Sequence, residues 1–222
     1  MRQLIKELVQ IVVETLPVPA PVFEFGALQV PGQEGFADLR PLFGGKEYVG
    51  CDLQEGPGVD RILDLHRIEL PSAVAGTVLL LDTLEHVEFF WLATEEVRRI
   101  LQPEGLFIVS SVMDFPVHNY PADYWRFTPA GFRSLLQRFP HSFVGFAGEE
   151  DLPHTVVGLG FKGSGPSLER FATRYGEWQR RWRFPMGRAN WRTWARLGAP
   201  SGAILLYRQL LRRRRREQDR GG

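Results

Sequence analysis

Cysteine is almost absent from the sequence, and long apolar runs are missing. A single cysteine, Cys51, occurs in 222 residues, so the chain can form no internal disulfide and does not resemble the disulfide-stabilised secreted folds. No apolar run reaches the roughly 18 residues that a membrane-spanning helix requires. The amino terminus lacks the charged start, apolar centre and small-residue cleavage site of a signal peptide. Together these absences predict a soluble, cytoplasmic protein.

Net charge is also nearly absent, but the charges are unevenly distributed. The formal net charge is +1, yet residues 1–165 hold 12 basic against 22 acidic side chains, and residues 166–222 hold 15 against 4. This division predicts a main domain over 1–165 and a basic, aromatic-rich helical extension over 166–222. The extension either folds back onto the acidic domain or reaches nucleic acid or another anionic surface through Arg212 to Arg216. The sequence does not choose between them.

Hydrophobic periodicity predicts an α/β protein. Apolar residues at helical spacing predict a first helix that Pro17 ends. Runs typical of strands follow at 22–26, 47–53, 61–65, 77–82, 106–112, 142–147 and 155–161, and helices are predicted at 36–43, 89–102 and 129–139. Strands that alternate with helices indicate a mostly parallel sheet with helices on both faces. In the extension, an apolar stripe from Leu168 to Trp182 predicts one helix, and a second is expected from Ser201 to about Arg215.

Acidic residues stand at the ends of several predicted strands. Glu24-Phe25-Gly26 closes the first strand, Asp52 the second, and Asp82 the fourth. The carboxyl ends of parallel strands face the ligand crevice of an open sheet, so these groups should converge on one site. Asp52 is placed to accept hydrogen bonds from a ribose diol, Gly26 lets a ligand approach the backbone, and Asp64 could accept from an adenine amine. The alternatives are a helix cap for Asp52, a surface charge for Asp64 and a turn residue for Gly26.

With these motifs in place, residues 21–161 resemble a class I S-adenosylmethionine (SAM)-dependent methyltransferase of the methyltransferase type 11 group. The matching segments are Glu24-Phe25-Gly26, Asp52, Asp82-Thr83-Leu84-Glu85-His86-Val87 and Leu101-Gln102-Pro103-Glu104-Gly105-Leu106. The resemblance implies a Rossmann-like, seven-stranded, mostly parallel sheet whose last two strands form an antiparallel hairpin. It also implies SAM as the cofactor, bound across the ends of strands one to four.

The resemblance also implies which residues bind the cofactor. Glu24 and Gly26 would line the methionine side, Asp52 would bind the ribose, and Asp64 with Leu65 would flank the adenine. The full set of cofactor-binding candidates is Glu24, Gly26, Ala27, Asp52, Leu53, Asp64, Leu65, Asp82, Thr83 and Leu84. One departure stands out, because Leu28 and Val30 occupy the second and third glycine positions of the family's first motif. Their side chains would crowd a ligand unless the loop 27–35 takes another path.

An aromatic segment after the fifth strand is the candidate acceptor side. Residues 113–128 end in Tyr-Trp-Arg-Phe-Thr, which is similar to segments that build the acceptor side in this group. His118 is the candidate base, with Tyr124 and Arg126 as positioning groups. The alternative is that His118 and Tyr124 satisfy loop backbone groups while Trp125 and Phe127 belong to the core. For Glu85 and His86 the sequence offers no third metal ligand at a plausible spacing, so no metal is predicted.

The favoured hypothesis is SAM-dependent methyl transfer to a small-molecule or glycan-type acceptor, with oxygen, nitrogen and carbon acceptors left open. A nicotinamide-dependent oxidoreductase would also place an acid after the second strand, but the sequence lacks a G-x-G-x-x-G turn after the first. A non-catalytic binding protein on the same fold remains the alternative, motivated by Leu28 and Val30. Its basic tail would then contact nucleic acid or an anionic surface, with tryptophans stacking on bases.

Overall fold

One seven-stranded sheet forms the centre of the protein. The structure, a computed structural model, describes residues 1–30, 32, 34–118 and 122–184. The strands are β1 (Val22–Phe25), β2 (Tyr48–Asp52), β3 (Arg61–Ile62), β4 (Ala75–Leu81), β5 (Leu101–Val112), β6 (His141–Gly148) and β7 (Pro153–Phe161). The helices are α1 (Gln3–Thr15), α2 (Phe90–Ile100), α3 (Pro129–Leu135) and α4 (Glu169–Arg181).

The strand order is β3-β2-β1-β4-β5-β7-β6. Neighbours from β3 to β5 are parallel, whereas β7 runs antiparallel to both β5 and β6. Phe25 is level with Cys51 of β2 and with Leu80 of β4, so these three strands end at the same edge of the sheet. The predicted mostly parallel sheet with a terminal antiparallel hairpin is confirmed.

Each face of the sheet is covered by its own pair of helices. Because side chains alternate along a strand, Leu79 and Leu81 of β4 join one buried cluster with α1 and α4. Val78 and Leu80 join a second cluster with α2 and α3. All seven residues of β4 are buried, as expected of a central strand with both faces covered. The predicted helices on both faces are therefore present.

The first helix of the extension packs against α1 and β6. The indole Nε1 of Trp178 donates to Leu4 O at 2.8 Å, and that of Trp182 donates to Glu7 Oε2 at 2.8 Å. The Tyr175 hydroxyl accepts from the backbone N–H of Phe146 at 2.8 Å. The part of the extension up to Arg181 thus shares the core of the sheet. The second predicted helix, 201–215, and the arginine run 212–216 lie outside the described residues.

Several predicted elements differ from the structure in extent or type. The helix predicted at 129–139 ends at 135, and the strand predicted at 106–112 begins at 101. The expected helix over 36–43 is a single 3₁₀ turn, Arg40–Phe43, because Pro41 lacks a backbone donor and Gly44 turns the chain into the left-handed region at φ 58°. The third strand covers only Arg61–Ile62, since Asp64 accepts a hydrogen bond from the backbone N–H of His66 in a tight turn.

Among the described helices, none combines the length and the apolar character needed to cross a membrane.

Candidate functional site

A pocket lies at the carboxyl ends of β1, β2 and β4. Nine of the ten predicted cofactor-binding residues line it, which are Glu24, Gly26, Ala27, Asp52, Leu53, Asp64, Leu65, Asp82 and Thr83. The tenth, Leu84, is fully buried in the core with α2 and α3. The pocket also includes Met1, His66 and His86, which sequence reasoning did not place there. The topology explains the convergence, because three strands end level at this edge.

Glu24 and Gly26 form the β1 side of the pocket. The Glu24 side chain is buried, and its Oε2 accepts from the Tyr48 hydroxyl at 2.7 Å. Burial raises the pKa of Glu24 to about 7, although the Tyr48 hydrogen bond favours the ionised form. Gly26 has φ +80°, and a Cβ on it would overlap the Thr83 side chain. Glycine is therefore required here by both backbone conformation and space.

Asp52 anchors the loop that follows β1. Its Oδ2 accepts from the backbone N–H of Leu28 at 3.2 Å, and its Oδ1 accepts from that of Gln54 at 3.3 Å. The backbone N–H of Gln29 donates to Pro57 O at 2.9 Å. These bonds hold the loop along the end of β2. Leu28 and Val30 themselves line the pocket.

On the far side of the pocket, the turn that contains Asp64 lies beside apolar side chains. Asp64 Oδ1 accepts from the backbone N–H and lies against Nδ1 of His66, at 2.8 Å in each case. Leu63 and Leu65 are buried beside it and line the same pocket. An aromatic ring with an exocyclic amine would find apolar contact and a hydrogen-bond acceptor here.

Asp82 stands at the end of β4 in an unusual backbone conformation, with φ 50°. Arg2 holds its carboxylate with two bonds, Nε to Oδ2 at 2.7 Å and Nη2 to Oδ1 at 2.6 Å, and Ser110 Oγ donates to Oδ1 at 2.9 Å. Burial opposes ionisation of Asp82, but Arg2 and Ser110 outweigh it, so the pKa of Asp82 is lowered. The second residue of the chain thus fixes a residue of the pocket, a contact for which the sequence carries no local signal.

Beyond Asp82, a 3₁₀ turn, Leu84–His86, contacts the loop after β5. The backbone N–H groups of Tyr124 and Trp125 donate to Glu85 O at 2.8 and 3.2 Å. The Trp125 indole donates to Val87 O at 3.1 Å. These bonds tie the loop to the segment 85–87 after β4, although none of its described residues lines the pocket itself.

Within this loop, Arg126 forms an ion pair with Asp123 and contacts the carbonyls of Phe115 and Pro116. The Arg126 hydrogen bonds lower the pKa of Asp123, and burial only partly opposes them. Asp123 Oδ2 accepts from the backbone N–H of His118 at 2.8 Å and lies 3.1 Å from its Nδ1. Arg126 thus holds the carboxylate that orients the His118 imidazole.

The fold also brings Glu85, His86 and His118 together, with one ligand atom of each within 4.8 Å of the others. The sequence shows no third ligand near Glu85 and His86, but His118 comes close to them from a loop 32 residues later in the chain. The absence of a metal stays a prediction. Burial, with Asp82 nearby, raises the pKa of Glu85 to about 7. Its Oε2 accepts from Ser111 Oγ at 2.8 Å, whereas its Oε1 has no hydrogen-bond partner among the described residues.

Comparison of the fold with solved structures gives consistent matches. A SAM-dependent methyltransferase from Archaeoglobus fulgidus aligns with a TM-score of 0.56 and 14% identity, over 73% of this chain and 95% of that one. The 1,6-didemethyltoxoflavin-N1-methyltransferase of Burkholderia thailandensis, solved with S-adenosylhomocysteine, aligns with a TM-score of 0.52 and 19% identity over 73% and 79%. A SAM-dependent methyltransferase from Thermotoga maritima gives 0.51 and 19% over 72% and 89%.

Comparisons at the level of sequence give no such match. No family model matches the chain, and no curated protein matches it. The structural matches therefore identify the fold, and the predicted class I SAM-dependent methyltransferase fold is confirmed. At 14–19% identity, they say nothing about which acceptor this chain uses.

Proposed function

We propose that the protein transfers a methyl group from SAM to a small-molecule or glycan-type acceptor. The observation that carries this proposal is a pocket at the level ends of β1, β2 and β4, which gathers Glu24, Asp52 and Asp64 on a methyltransferase fold. Carboxylates spaced along this edge of the sheet, with a glycine beside them, suit a ligand with an amine, a diol and an amino-substituted base.

The residues present fit SAM part by part. The Glu24 carboxyl is proposed to face the methionyl ammonium, beside the open backbone of Gly26. Asp52 is proposed to accept from the ribose hydroxyls, since each of its oxygens accepts only one protein N–H among the described residues and so keeps a free lone pair. Asp64 and the apolar wall of Leu63 and Leu65 are proposed to hold the adenine.

The acceptor side is proposed to be the loop after β5. Bound SAM supplies an electrophilic methyl group on a positively charged sulfur, so the protein's tasks are alignment and, for a hydroxyl acceptor, removal of a proton. His118 is the proposed base, because its side chain is 36% exposed and Asp123 orients it. Tyr124 is proposed to contact the acceptor, and Arg126 to position His118 through Asp123.

A ring-shaped or glycan-type acceptor is favoured by the side chains around the loop. Phe115, Tyr124 and Trp125 are 41%, 48% and 36% exposed. Aromatic faces of this kind offer apolar area together with polar edges. A sugar or a small heterocycle could pack flat against such faces.

Calorimetric titration with SAM and S-adenosylhomocysteine tests the proposal. The intact chain is expected to bind both in the micromolar range, and Asp52→Ala is expected to lose at least tenfold in affinity because two ribose hydrogen bonds are lost. Asp151→Ala, an exposed acid on another loop, is the matched control and should bind like the native chain. Absence of binding by the intact chain, or equal loss in both variants, would contradict the proposal.

A non-catalytic protein on the same fold is the second candidate, because Leu28 and Val30 line the pocket where the related motif has glycines. In that case the basic tail would carry the function by contacting nucleic acid or an anionic surface. Removal of residues 206–222, followed by measurement of RNA and anionic-vesicle binding, separates the two candidates. This candidate requires binding that depends on the tail, together with failure to bind S-adenosylhomocysteine.

A further inference from the structure

A carboxylate and two imidazoles meet at the edge of the pocket. Glu85 and His86 lie on the 3₁₀ turn after β4, and His118 lies on the loop after β5. One ligand atom of each lies within 4.8 Å of the others, and the two imidazole rings are 4.7 Å apart, edge to face. Metal–ligand bonds of about 2.0–2.2 Å require donors roughly 3–4 Å apart, which small side-chain rotations from this arrangement would reach.

The buried carboxylate is the clearest sign that a ligand belongs here. Glu85 is fully buried. Ser111 satisfies Oε2, but Oε1 has no hydrogen-bond partner among the described residues. A buried carboxylate oxygen without a partner is unfavourable, and native proteins generally satisfy such atoms. A bound cation would provide the missing interaction.

The surroundings of all three groups match those of metal ligands. Nδ1 of His86 is hydrogen-bonded to Ala122 O, and Nδ1 of His118 lies 3.1 Å from Asp123 Oδ2. Imidazoles that bind metals usually donate their other nitrogen to a carbonyl or a carboxylate in this way. Each ring is thus oriented through Nδ1, which leaves its Nε2 as the atom that would bind the metal. Ser111 plays the corresponding part for Glu85.

We propose that Glu85, His86 and His118 bind a divalent transition-metal ion. Two imidazoles and one carboxylate suit Zn²⁺, Fe²⁺, Co²⁺ or Ni²⁺ better than Mg²⁺ or Ca²⁺, which prefer all-oxygen sites. Three protein ligands leave at least one coordination position for another molecule, as in catalytic metal sites.

The position of the site suggests which molecule would occupy the open coordination position. His86 lines the cofactor pocket next to Thr83, so the ion would lie between that pocket and the loop proposed to bind the acceptor. A hydroxyl acceptor that fills the open position would lose its proton to water more readily. His118 would then be a metal ligand instead of the base, and the metal would promote loss of the acceptor proton by lowering the pKa of the bound hydroxyl. This last step, unlike metal binding itself, rests on the proposed function.

The test uses the full, untagged chain, stripped with a chelator and titrated with Co²⁺. We expect one Co²⁺ per chain, with visible absorption bands of a four- or five-coordinate ion that Zn²⁺ displaces. Glu85→Gln and His118→Gln should each weaken binding at least tenfold. His141→Gln removes a histidine outside the cluster and should bind like the native chain.

Further measurements separate the possible failures. Circular dichroism identifies a variant that does not fold. If Glu85→Gln does not fold, His118→Gln, which changes a partly exposed loop residue, still tests the metal site. Failure of the intact chain to bind Co²⁺ stoichiometrically, or binding that survives both substitutions, overturns the metal site. S-adenosylhomocysteine titration of the same samples keeps this outcome distinct, because cofactor binding without metal binding removes only the metal.

Discussion

The two sides of the pocket are built in different ways. The proposed cofactor side, defined by Glu24, Gly26, Asp52 and Asp64, follows the ends of strands whose positions the sheet ladder sets. The proposed acceptor side consists of the turn Leu84–His86 and the described loop residues 113–118 and 122–128, and a small number of side-chain and backbone hydrogen bonds hold it. The difference indicates that the cofactor side should tolerate changes in the loop, whereas the acceptor side should be sensitive to single contacts.

The largest effect is expected for Arg2→Ala, which tests whether the cofactor side depends on the amino terminus. Removal of Arg2 leaves the partly buried Asp82 carboxylate with Ser110 as a hydrogen-bond donor but without the arginine that balances its charge, so the free energy of unfolding should fall by about 3 kcal/mol. Because the folded pKa of Asp82 is lowered, the stabilisation is present above the ordinary Asp value and is lost as pH falls below it. Denaturant titrations at pH 7 and pH 3 measure both. An unfolding free energy unchanged at pH 7 would contradict the proposed dependence.

Gly26→Ala comes next and tests the tight end of β1. The added methyl group would overlap Thr83 in a left-handed conformation, so about 2 kcal/mol of stability should be lost, together with at least tenfold in S-adenosylhomocysteine affinity. Gly44→Ala is the control, because Gly44 has φ +58° but open space around its Cα. It should cost only the conformational strain of about 1 kcal/mol. Equal losses in the two variants would show that the overlap with Thr83 does not matter.

A smaller effect, of about 1–2 kcal/mol, is expected for Glu24→Gln. The pKa of Glu24 rises on folding from 4.5 to about 7, so the folded state holds the proton more tightly and stability falls as pH rises across that interval. Above pH 7 the neutral glutamine should therefore make the protein more stable than the native chain, and the difference should vanish near pH 4.5. Thermal unfolding at several pH values measures it, with exposed Glu150→Gln as control. Parallel pH profiles for Glu24→Gln and the native chain would contradict the account.

The smallest effect on global stability is expected for Arg126→Ala, on the acceptor side. The Asp123 side chain is only 1% exposed, but its carboxylate keeps the backbone N–H of His118 as a donor and lies 3.1 Å from His118 Nδ1, so loss of the arginine should cost only about 1 kcal/mol. Loop amides over 115–118 should exchange faster with deuterium, while S-adenosylhomocysteine affinity stays within twofold of native. A large loss of cofactor affinity would show that the two sides are not separable.

Most of the sheet could be predicted from the sequence because strand periodicity and turn residues are local signals. The buried run of β4 and the antiparallel pair β6 and β7 were both found where expected. The region 36–43 was not, since apolar spacing there favoured a helix that Pro41 and Gly44 prevent. Local patterns therefore predict where an element lies better than whether a short one forms.

The site likewise contains residues that the sequence predicts and contacts that it does not. Asp52 and Asp64 line the pocket because each follows a strand, which the sequence already indicates. Contacts across the sheet were not predictable, because Arg2 meets Asp82 at a separation of 80 residues and His118 meets Glu85 through a loop. The sequence contains no local signal for either contact.

Hydrogen–deuterium exchange of the full chain, with and without saturating S-adenosylhomocysteine, would locate the bound cofactor on the sheet. A cofactor bound at the strand ends should protect peptides covering 24–30, 50–54, 63–66 and 81–84, with little change over 113–118 and 122–128. Protection confined to the loop after β5, or no protection under conditions where binding is measured, would contradict a cofactor site at the strand ends.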